Sequence, residues 1–151
     1  KWVFENIASK DHVRGPIKAY RKDCFKDING LKKSAGWDSV DVFLAKYYDW
    51  QVLTDKNLHV KHLKPTGSSY HSESKYLRGE ALYKMRMGIV LTTIASLKSA
   101  LKMGSFKYFK DAMIGFFRAK NKKTEFMVDD AQGKFIRNLH WRSIFNRLKM
   151  N

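Results

Sequence analysis

Several features that mark other protein classes are absent from this sequence of 151 residues. Its single cysteine, Cys24, excludes an internal disulfide and a multi-cysteine zinc site, which fits a reducing compartment. The most apolar run, Met87 to Leu97, is well short of the roughly 20 residues that a membrane-spanning helix needs. The chain also has no glycine-rich phosphate cradle and no pair of metal-binding carboxylates.

Acidic residues are scarce, and their distribution is uneven. Thirty Lys and Arg residues stand against 14 Asp and Glu, which gives a formal net charge of +16. From His71 onward there are 17 basic and 6 acidic residues, a net +11. This surplus favours phosphate-rich partners, whether nucleic acid, anionic lipid or a phosphorylated substrate, and does not choose among them. With 44% hydrophobic residues, the chain can build one ordinary core, or a small core with an appendage.

The N-terminal segment, Lys1 to Asn6, begins without an initiator Met and lacks the basic-then-apolar design of a signal peptide. We therefore expect this N-terminus to be the cut end of a longer chain.

The first 70 residues show a pattern that predicts an α/β fold. β-branched and aromatic residues indicate strands, and Asn-Gly and Asp at helix boundaries indicate short helices between them. The expected elements are, in order, a strand at 13–20, a helix at 23–28 ended by Asn29-Gly30, a helix from Ser39 to about Tyr48 with Asp38 as its N-cap, and strands at 50–53 and 58–62.

The remaining residues, 71–151, have helical periodicity and form the second predicted domain, a basic amphipathic tail after the α/β part at 1–70. Two apolar stripes and a third segment at about 129–148 predict two or three helices. The first stripe comprises Leu82, Met85, Ile89, Thr93, Leu97 and Leu101, and the second comprises Phe106, Phe109, Met113, Phe116 and Phe117. We expect most of these side chains to pack as core.

Asp38 is the strongest candidate for chemistry. A carboxylate at a helix start is held rigidly and can face a substrate, and Trp37 beside it offers an apolar surface for a sugar ring. The alternative is that Asp38 only caps the helix. Asp41, three residues on, fits a first-turn carboxylate that complements the helix dipole better than a second catalytic group.

Three further residues are candidates on either side of this helix. Lys64 could neutralise a departing diphosphate, or it is simply an exposed lysine. His62 lies at a predicted strand end, where a histidine is commonly structural. Gly15 either lets the backbone approach a ligand or marks a bulge.

The order of several motifs resembles the C-terminal half of bacterial family 2 glycosyltransferases. The resemblance is closest over residues 12 to 67 and looser over the helical tail. The motifs are Arg14-Gly15-Pro16-Ile17-Lys18-Ala19-Tyr20-Arg21-Lys22-Asp23-Cys24-Phe25, Ile28-Asn29-Gly30-Leu31, Gly36-Trp37-Asp38-Ser39-Val40-Asp41, Asp49-Trp50 and Val60-Lys61-His62-Leu63-Lys64-Pro65-Thr66-Gly67.

The resemblance implies an inverting transfer from a nucleotide-diphospho-sugar to a cell-envelope or polysaccharide acceptor, on the C-terminal part of a nucleotide-diphospho-sugar transferase fold. It implies that Asp38 is the general base and that Trp37 replaces the Glu that usually precedes it. Gly15, Trp37, Asp41, His62 and Lys64 would bind acceptor or diphosphate. His62 would lie near the diphosphate and could complete the shell of a metal.

The resemblance also sets expectations for cofactor, partners and location. The complete enzyme would use a divalent cation, Mg or Mn, while the fragment alone would bind none and be inactive. Its partners would be a nucleotide-sugar donor and a carbohydrate or lipid-linked acceptor. The expected location is cytoplasmic, with peripheral contact at the inner face of the cell membrane.

Two non-catalytic functions remain as alternatives. A basic helical module could bind nucleic acid, although no zinc-finger, helix-turn-helix or aromatic RNA-binding signature supports this. The aromatic and Met stripes flanked by Lys and Arg also fit helices lying on an anionic membrane surface.

Overall fold

The structure, a computed structural model, describes residues 17–55, 57–58 and 74–149. These residues form six helices and no strand. The helices are α1 (Lys22–Asp27), α2 (Trp37–Tyr47), α3 (Ser74–Lys84), α4 (Gly88–Met103), α5 (Phe106–Asn121) and α6 (Asp130–Lys149). None of them has both the length and the apolar composition that crossing a bilayer requires.

The predicted α/β fold is therefore wrong for the described part of the chain. Residues 17–20 and 50–53, which were expected to be strand, have no regular secondary structure, and most of the strand expected at 58–62 lies outside the described residues. A strand needs a neighbouring strand to satisfy its backbone groups. The β-branched and aromatic residues of these segments favour extended backbone, but the described residues contain no strand with which they could pair.

The described residues divide into two compact units. The first contains 17–33, 37–55 and 57–58, with α1 and α2, and the second contains 34–36 and 74–149, with α3 to α6. In the first unit the buried side chains come from both helices. They are Cys24, Ile28, Val40, Asp41, Val42, Leu44 and Ala45.

The first five helices end in the same backbone motif, in which one residue after the helix adopts a left-handed conformation. In α1 the N–H of Gly30 donates to the carbonyl of Phe25, and the N–H of Asn29 donates to Lys26. These bonds satisfy carbonyls that the helix leaves free. The predicted stop at Asn29-Gly30 is thus confirmed. The left-handed residues, from α1 to α5, are Asn29, Asp49, Arg86, Gly104 and Lys123.

Two glycines bring α3 and α5 into backbone contact in the second unit. A methyl group on Gly79 would overlap the carbonyl oxygen of Ala112, and one on Gly115 would overlap that of Tyr76. The buried face of α5 consists mainly of small residues, since Ala112, Gly115 and Ala119 all lie against this contact side. Small residues allow two helix axes to approach closely.

The helical tail contains four helices, where two or three were predicted. The first stripe was expected to be continuous, but Arg86 and Gly88 have positive φ angles of 55° and 72° and separate α3 from α4. The stripes were also expected to be mostly core. Of these side chains Leu82, Met85 and Phe116 are buried as expected, whereas Ile89, Leu97, Leu101, Phe106 and Phe117 are exposed. On α4 the buried positions are Leu91, Thr92, Ser96 and Ala100.

Arg86 joins the end of α3 to the start of α6. Its guanidinium lies 3.8 Å from the ring centroid of Phe126, donates to the Val128 carbonyl at 3.0 Å, and pairs with Asp130 at 2.7 Å. Arg137 of α6 donates in turn to the Arg86 carbonyl at 2.7 Å. This arginine therefore fixes the loop between α5 and α6 against the turn after α3.

The close contact between α3 and α5 determines whether replacing a glycine there by alanine raises or lowers the free energy of unfolding. Alanine is a better helix former than glycine by about 1 kcal/mol, so Gly79→Ala in an isolated helix would be stabilising. Because the added methyl meets the backbone of α5, we expect Gly79→Ala and Gly115→Ala each to lower the free energy of unfolding by about 1–3 kcal/mol. Urea denaturation followed by circular dichroism measures this. An increase in stability for either variant would contradict the close approach.

Candidate functional site

A buried carboxylate, Asp41, lies at the centre of the first unit. Its side chain is 2% exposed, and the ammonium of Lys18, which is 5% exposed, lies 2.8 Å from each of its two oxygens. The phenol of Tyr20 and the backbone N–H of Val42 also donate to it. A buried ion pair is stable only when such additional hydrogen bonds satisfy its remaining polar atoms. This cluster meets that condition.

The ammonium of Lys18 extends the cluster to the first turn of α2. It donates to the backbone carbonyl of Asp38 at 2.6 Å and lies 5.6 Å from the centroid of the Trp37 ring. An ammonium within about 6 Å of an aromatic face is attracted by the negative charge of that face. One cation thus fixes the backbone of Asp38, the ring of Trp37 and the carboxylate of Asp41.

Asp38 itself is placed differently from Asp41. The helix begins at Trp37, so Asp38 is the second helical residue and the expected N-cap role is wrong. Its side chain is half-buried, and among the described residues its carboxylate has no hydrogen-bond or ion-pair partner. A first-turn carboxylate is favourably placed with respect to the helix dipole without serving as a cap.

Burial raises the pKa values of two groups beside the carboxylate of Asp41, the Tyr20 phenol and the Cys24 thiol. Burial, followed by the hydrogen bond to Asp41, raises the pKa of the Tyr20 phenol above its ordinary value. Burial, with smaller contributions from Asp27 and Asp41, raises the pKa of the Cys24 thiol. Tyr20 consequently remains a hydrogen-bond donor at neutral pH, and Cys24 is a buried thiol.

The predicted site residues fall into two groups. Trp37, Asp38 and Asp41 lie together at the start of α2. Gly15, His62 and Lys64 lie outside the described residues. Asp41 was expected to bind acceptor or diphosphate. Lys18, Tyr20 and Val42 occupy its oxygens, so a ligand could reach this carboxylate only by displacing one of them.

Lys18 and Tyr20 complete the cluster around Asp41, and no role was predicted for either residue. Both lie in the segment that was predicted to be a strand, at positions two residues apart. In extended backbone, residues i and i+2 point to the same side. The sequence therefore contained a signal for this cluster: a lysine and a tyrosine on one side of an extended segment, followed by two aspartates one helical turn apart.

No group of three or more His, Cys, Asp and Glu side chains within the described ranges could hold a metal ion. The residue proposed for a metal shell, His62, lies outside those ranges. Comparison of the whole chain with models of protein families, with curated proteins and with solved structures found no match.

The buried pair leads to a double-mutant prediction. Lys18→Met leaves an uncompensated buried carboxylate and Asp41→Leu leaves a buried ammonium, and each should lower the free energy of unfolding by about 3 kcal/mol. The double variant should lose clearly less than the sum, because neither charge remains. Urea unfolding of the four proteins measures the coupling.

The pair Asp23–Lys26 is a matched control. Its atoms are 3.6 Å apart and its side chains are 76% and 65% exposed, so its coupling should stay below about 1 kcal/mol. Additive effects of the Lys18 and Asp41 substitutions would contradict the central role of the cluster.

Proposed function

We propose that the residues around the start of α2 form the acceptor-binding and catalytic-base portion of an inverting glycosyltransferase. In this proposal the complete protein moves a sugar from a nucleotide-diphospho-sugar to a cell-envelope or polysaccharide acceptor. The resemblance in motif order supplies the reaction class. The geometry at the start of α2 supports Asp38 as the base independently of that resemblance.

One observation carries the assignment: two carboxylates one helical turn apart have opposite environments. Asp41 is buried and saturated by Lys18, Tyr20 and Val42. Asp38 is half-buried and has no partner among the described residues. A carboxylate whose oxygens already accept hydrogen bonds from a buried ammonium and a phenol has a structural role, whereas a carboxylate without such donors can accept a proton from a ligand. The structural role belongs to Asp41, and Asp38 is the carboxylate that can accept a proton.

The reaction needs one base and one leaving group. The Asp38 carboxylate takes the proton from an acceptor hydroxyl as the hydroxyl oxygen attacks the anomeric carbon of the donor sugar. The bond between that carbon and the diphosphate oxygen breaks, and its electron pair leaves with the nucleoside diphosphate. Because attack and departure occur on opposite faces of the carbon, the configuration inverts.

Lys18 acts as a positioning residue in this scheme. Its hydrogen bond to the Asp38 carbonyl and its ion pair with Asp41 hold the first turn of α2 in place. A general base must lie within about 2.6–3.2 Å of the proton that it removes, and a shift of about 1 Å can cost a hundredfold in rate. Trp37 would supply the apolar face for the acceptor sugar ring.

The donor side of the reaction would depend on other residues. His62 and Lys64 would contact the diphosphate and stabilise its departure, and Gly15 would line the path of the ligand. A divalent cation, Mg or Mn, would bind the diphosphate in the complete enzyme and neutralise its charge. Described residues 17–58 would then supply the base and the acceptor surface.

The direct test is Asp38→Asn in the complete protein. Release of nucleoside diphosphate is measured with a panel of UDP-, GDP- and dTDP-sugars in the presence of Mg or Mn and carbohydrate acceptors. Asn preserves the size of the side chain but cannot accept the proton, so turnover should fall by at least about a hundredfold. Folding and donor binding should be nearly unchanged.

Asp23→Asn provides a matched control, since Asp23 is also the second residue of its helix and its side chain is 76% exposed. This variant should retain wild-type turnover. Wild-type turnover in Asp38→Asn would remove Asp38 from the mechanism. Absence of nucleoside diphosphate release by the wild-type protein with every donor would contradict the reaction class.

A further inference from the structure

The antiparallel helices α4 and α5 carry several large apolar side chains on the outside, although Leu91 and Phe116 are buried. Between these helices, the hydroxyl of Thr93 lies 4.0 Å from the sulfur of Met113. One turn further along each helix, Leu97 is level with Phe109, and two turns along, Leu101 is level with the start of α5. The apolar sides of the two helices that flank this contact therefore run side by side. We call them together the hairpin face: Val90, Ile94, Leu97 and Leu101 of α4, and Phe106, Phe109, Met113 and Phe117 of α5.

None of the side chains of the hairpin face is fully buried: Phe109 and Met113 are half-buried, and the other six are exposed. The side of α5 that meets α3 is built from small residues and one aromatic ring, that of Phe116, which is 4% exposed and packs edge-on against Tyr83. Phe117, the next residue, is exposed. A shallow groove along α5 is lined by Phe106, Phe109, Met113 and Phe117, together with Lys110. The apolar surface of the hairpin thus has no partner within the described residues.

Exposure is greatest at the tip of the hairpin, where α4 turns into α5. Leu101 is 76% exposed, Met103 64% and Phe106 72%, and they alternate with Lys102 and Lys107 around the turn at Gly104. An exposed apolar cluster of this kind in a folded domain usually marks an interaction surface. Its lysines lie within a side chain's length of the apolar tip.

The charge of the hairpin indicates what kind of partner it contacts. Residues 88–121 contain six cations and one carboxylate, Asp111, a net charge of +5. A second copy of the same face would bring like charges together, which opposes self-association. Nucleic acid attracts the cations and can stack on Phe106, Phe109 and Phe117, but it offers no apolar environment to the aliphatic half of the face, Val90, Ile94, Leu97 and Leu101. An anionic lipid surface satisfies both properties, because headgroups pair with lysines and the acyl boundary takes up apolar side chains.

We propose that the hairpin face docks on an anionic phospholipid bilayer, tip first. Leu101, Met103 and Phe106 enter the boundary between headgroups and acyl chains, and Lys102 and Lys107 pair with lipid phosphates. The helices lie on the surface and do not cross it, in keeping with their length and composition. This inference is independent of the transfer chemistry and of Asp38.

The test uses the complete protein and sedimentation with sucrose-loaded vesicles, either of phosphatidylcholine alone or with 30 mol% phosphatidylglycerol. Wild type should bind only the anionic vesicles. The triple variant Leu101→Gln, Met103→Gln, Phe106→Gln should bind them at least about tenfold more weakly, because three apolar side chains no longer leave water. Lys102→Gln with Lys107→Gln should weaken binding about fivefold per lysine.

Three controls separate the alternatives. The triple variant Leu53→Gln, Phe145→Gln, Leu148→Gln changes equally exposed apolar residues outside the hairpin and should bind as wild type. Circular dichroism checks the fold of each variant, and Phe116 is left intact because it is buried. A 30-base-pair DNA duplex serves as the polyanion control, and the hairpin triple variant should bind it as tightly as wild type does.

Several results would overturn the proposal. Equal binding of wild type to neutral and anionic vesicles would remove the role of charge, and wild-type vesicle binding by a folded hairpin triple variant would remove the role of the tip. Equal loss of vesicle and DNA binding would indicate a general polyanion surface. A wild-type dimer that the hairpin triple variant abolishes, measured by analytical ultracentrifugation, would assign the face to a second copy.

Discussion

The ion pair between Lys18 and Asp41 is the contact on which the candidate site depends. It joins an extended segment without regular secondary structure to the first turn of α2, and the same ammonium reaches the Asp38 carbonyl and the Trp37 ring. Burying two charges costs free energy that a well-packed apolar pair would not. The ion pair therefore contributes little net stability. It does fix the backbone at the first turn of α2, because few other arrangements satisfy both charges.

A different constraint shapes the second unit. The backbone contact between α3 and α5 requires glycine at residues 79 and 115, where an added methyl group would overlap backbone atoms of the other helix. Apart from Leu91 and Phe116, which are buried, most large apolar residues of α4 and α5 are half-buried or exposed. Exposure is greatest at the hairpin tip, where Leu101 and Phe106 lie beside Lys102 and Lys107. The contact between α3 and α5 also explains why Phe116 and Phe117, neighbours in sequence, have opposite environments.

Sequence patterns predicted the helices better than the strands or the faces. The short helix near 23–28, its stop at Asn29-Gly30 and the helix at about 39–48 were close to the observed α1 and α2, because caps and turn residues act locally. The strands failed because extended backbone composition does not reveal whether a pairing partner exists. The stripes were real, but periodicity alone cannot say which side of a helix faces the core. Glycines 79 and 115 were the informative residues there.

The candidate site was partly visible for the same reason. Asp38, Asp41 and Trp37 stand together in the sequence, so their proximity followed from helical geometry, whereas the partnership of Asp41 with Lys18 spans 23 residues and needed the fold. The proposed reaction requires Asp38 to act as the base and Asp41 to remain structural. These roles are tested most directly by a crystal structure of the complete protein with nucleoside diphosphate, a divalent cation and a carbohydrate acceptor. We expect an acceptor hydroxyl within about 3.2 Å of an Asp38 carboxylate oxygen, with Asp41 still paired to Lys18. An acceptor that contacts another carboxylate, or lies away from α2, would contradict these roles.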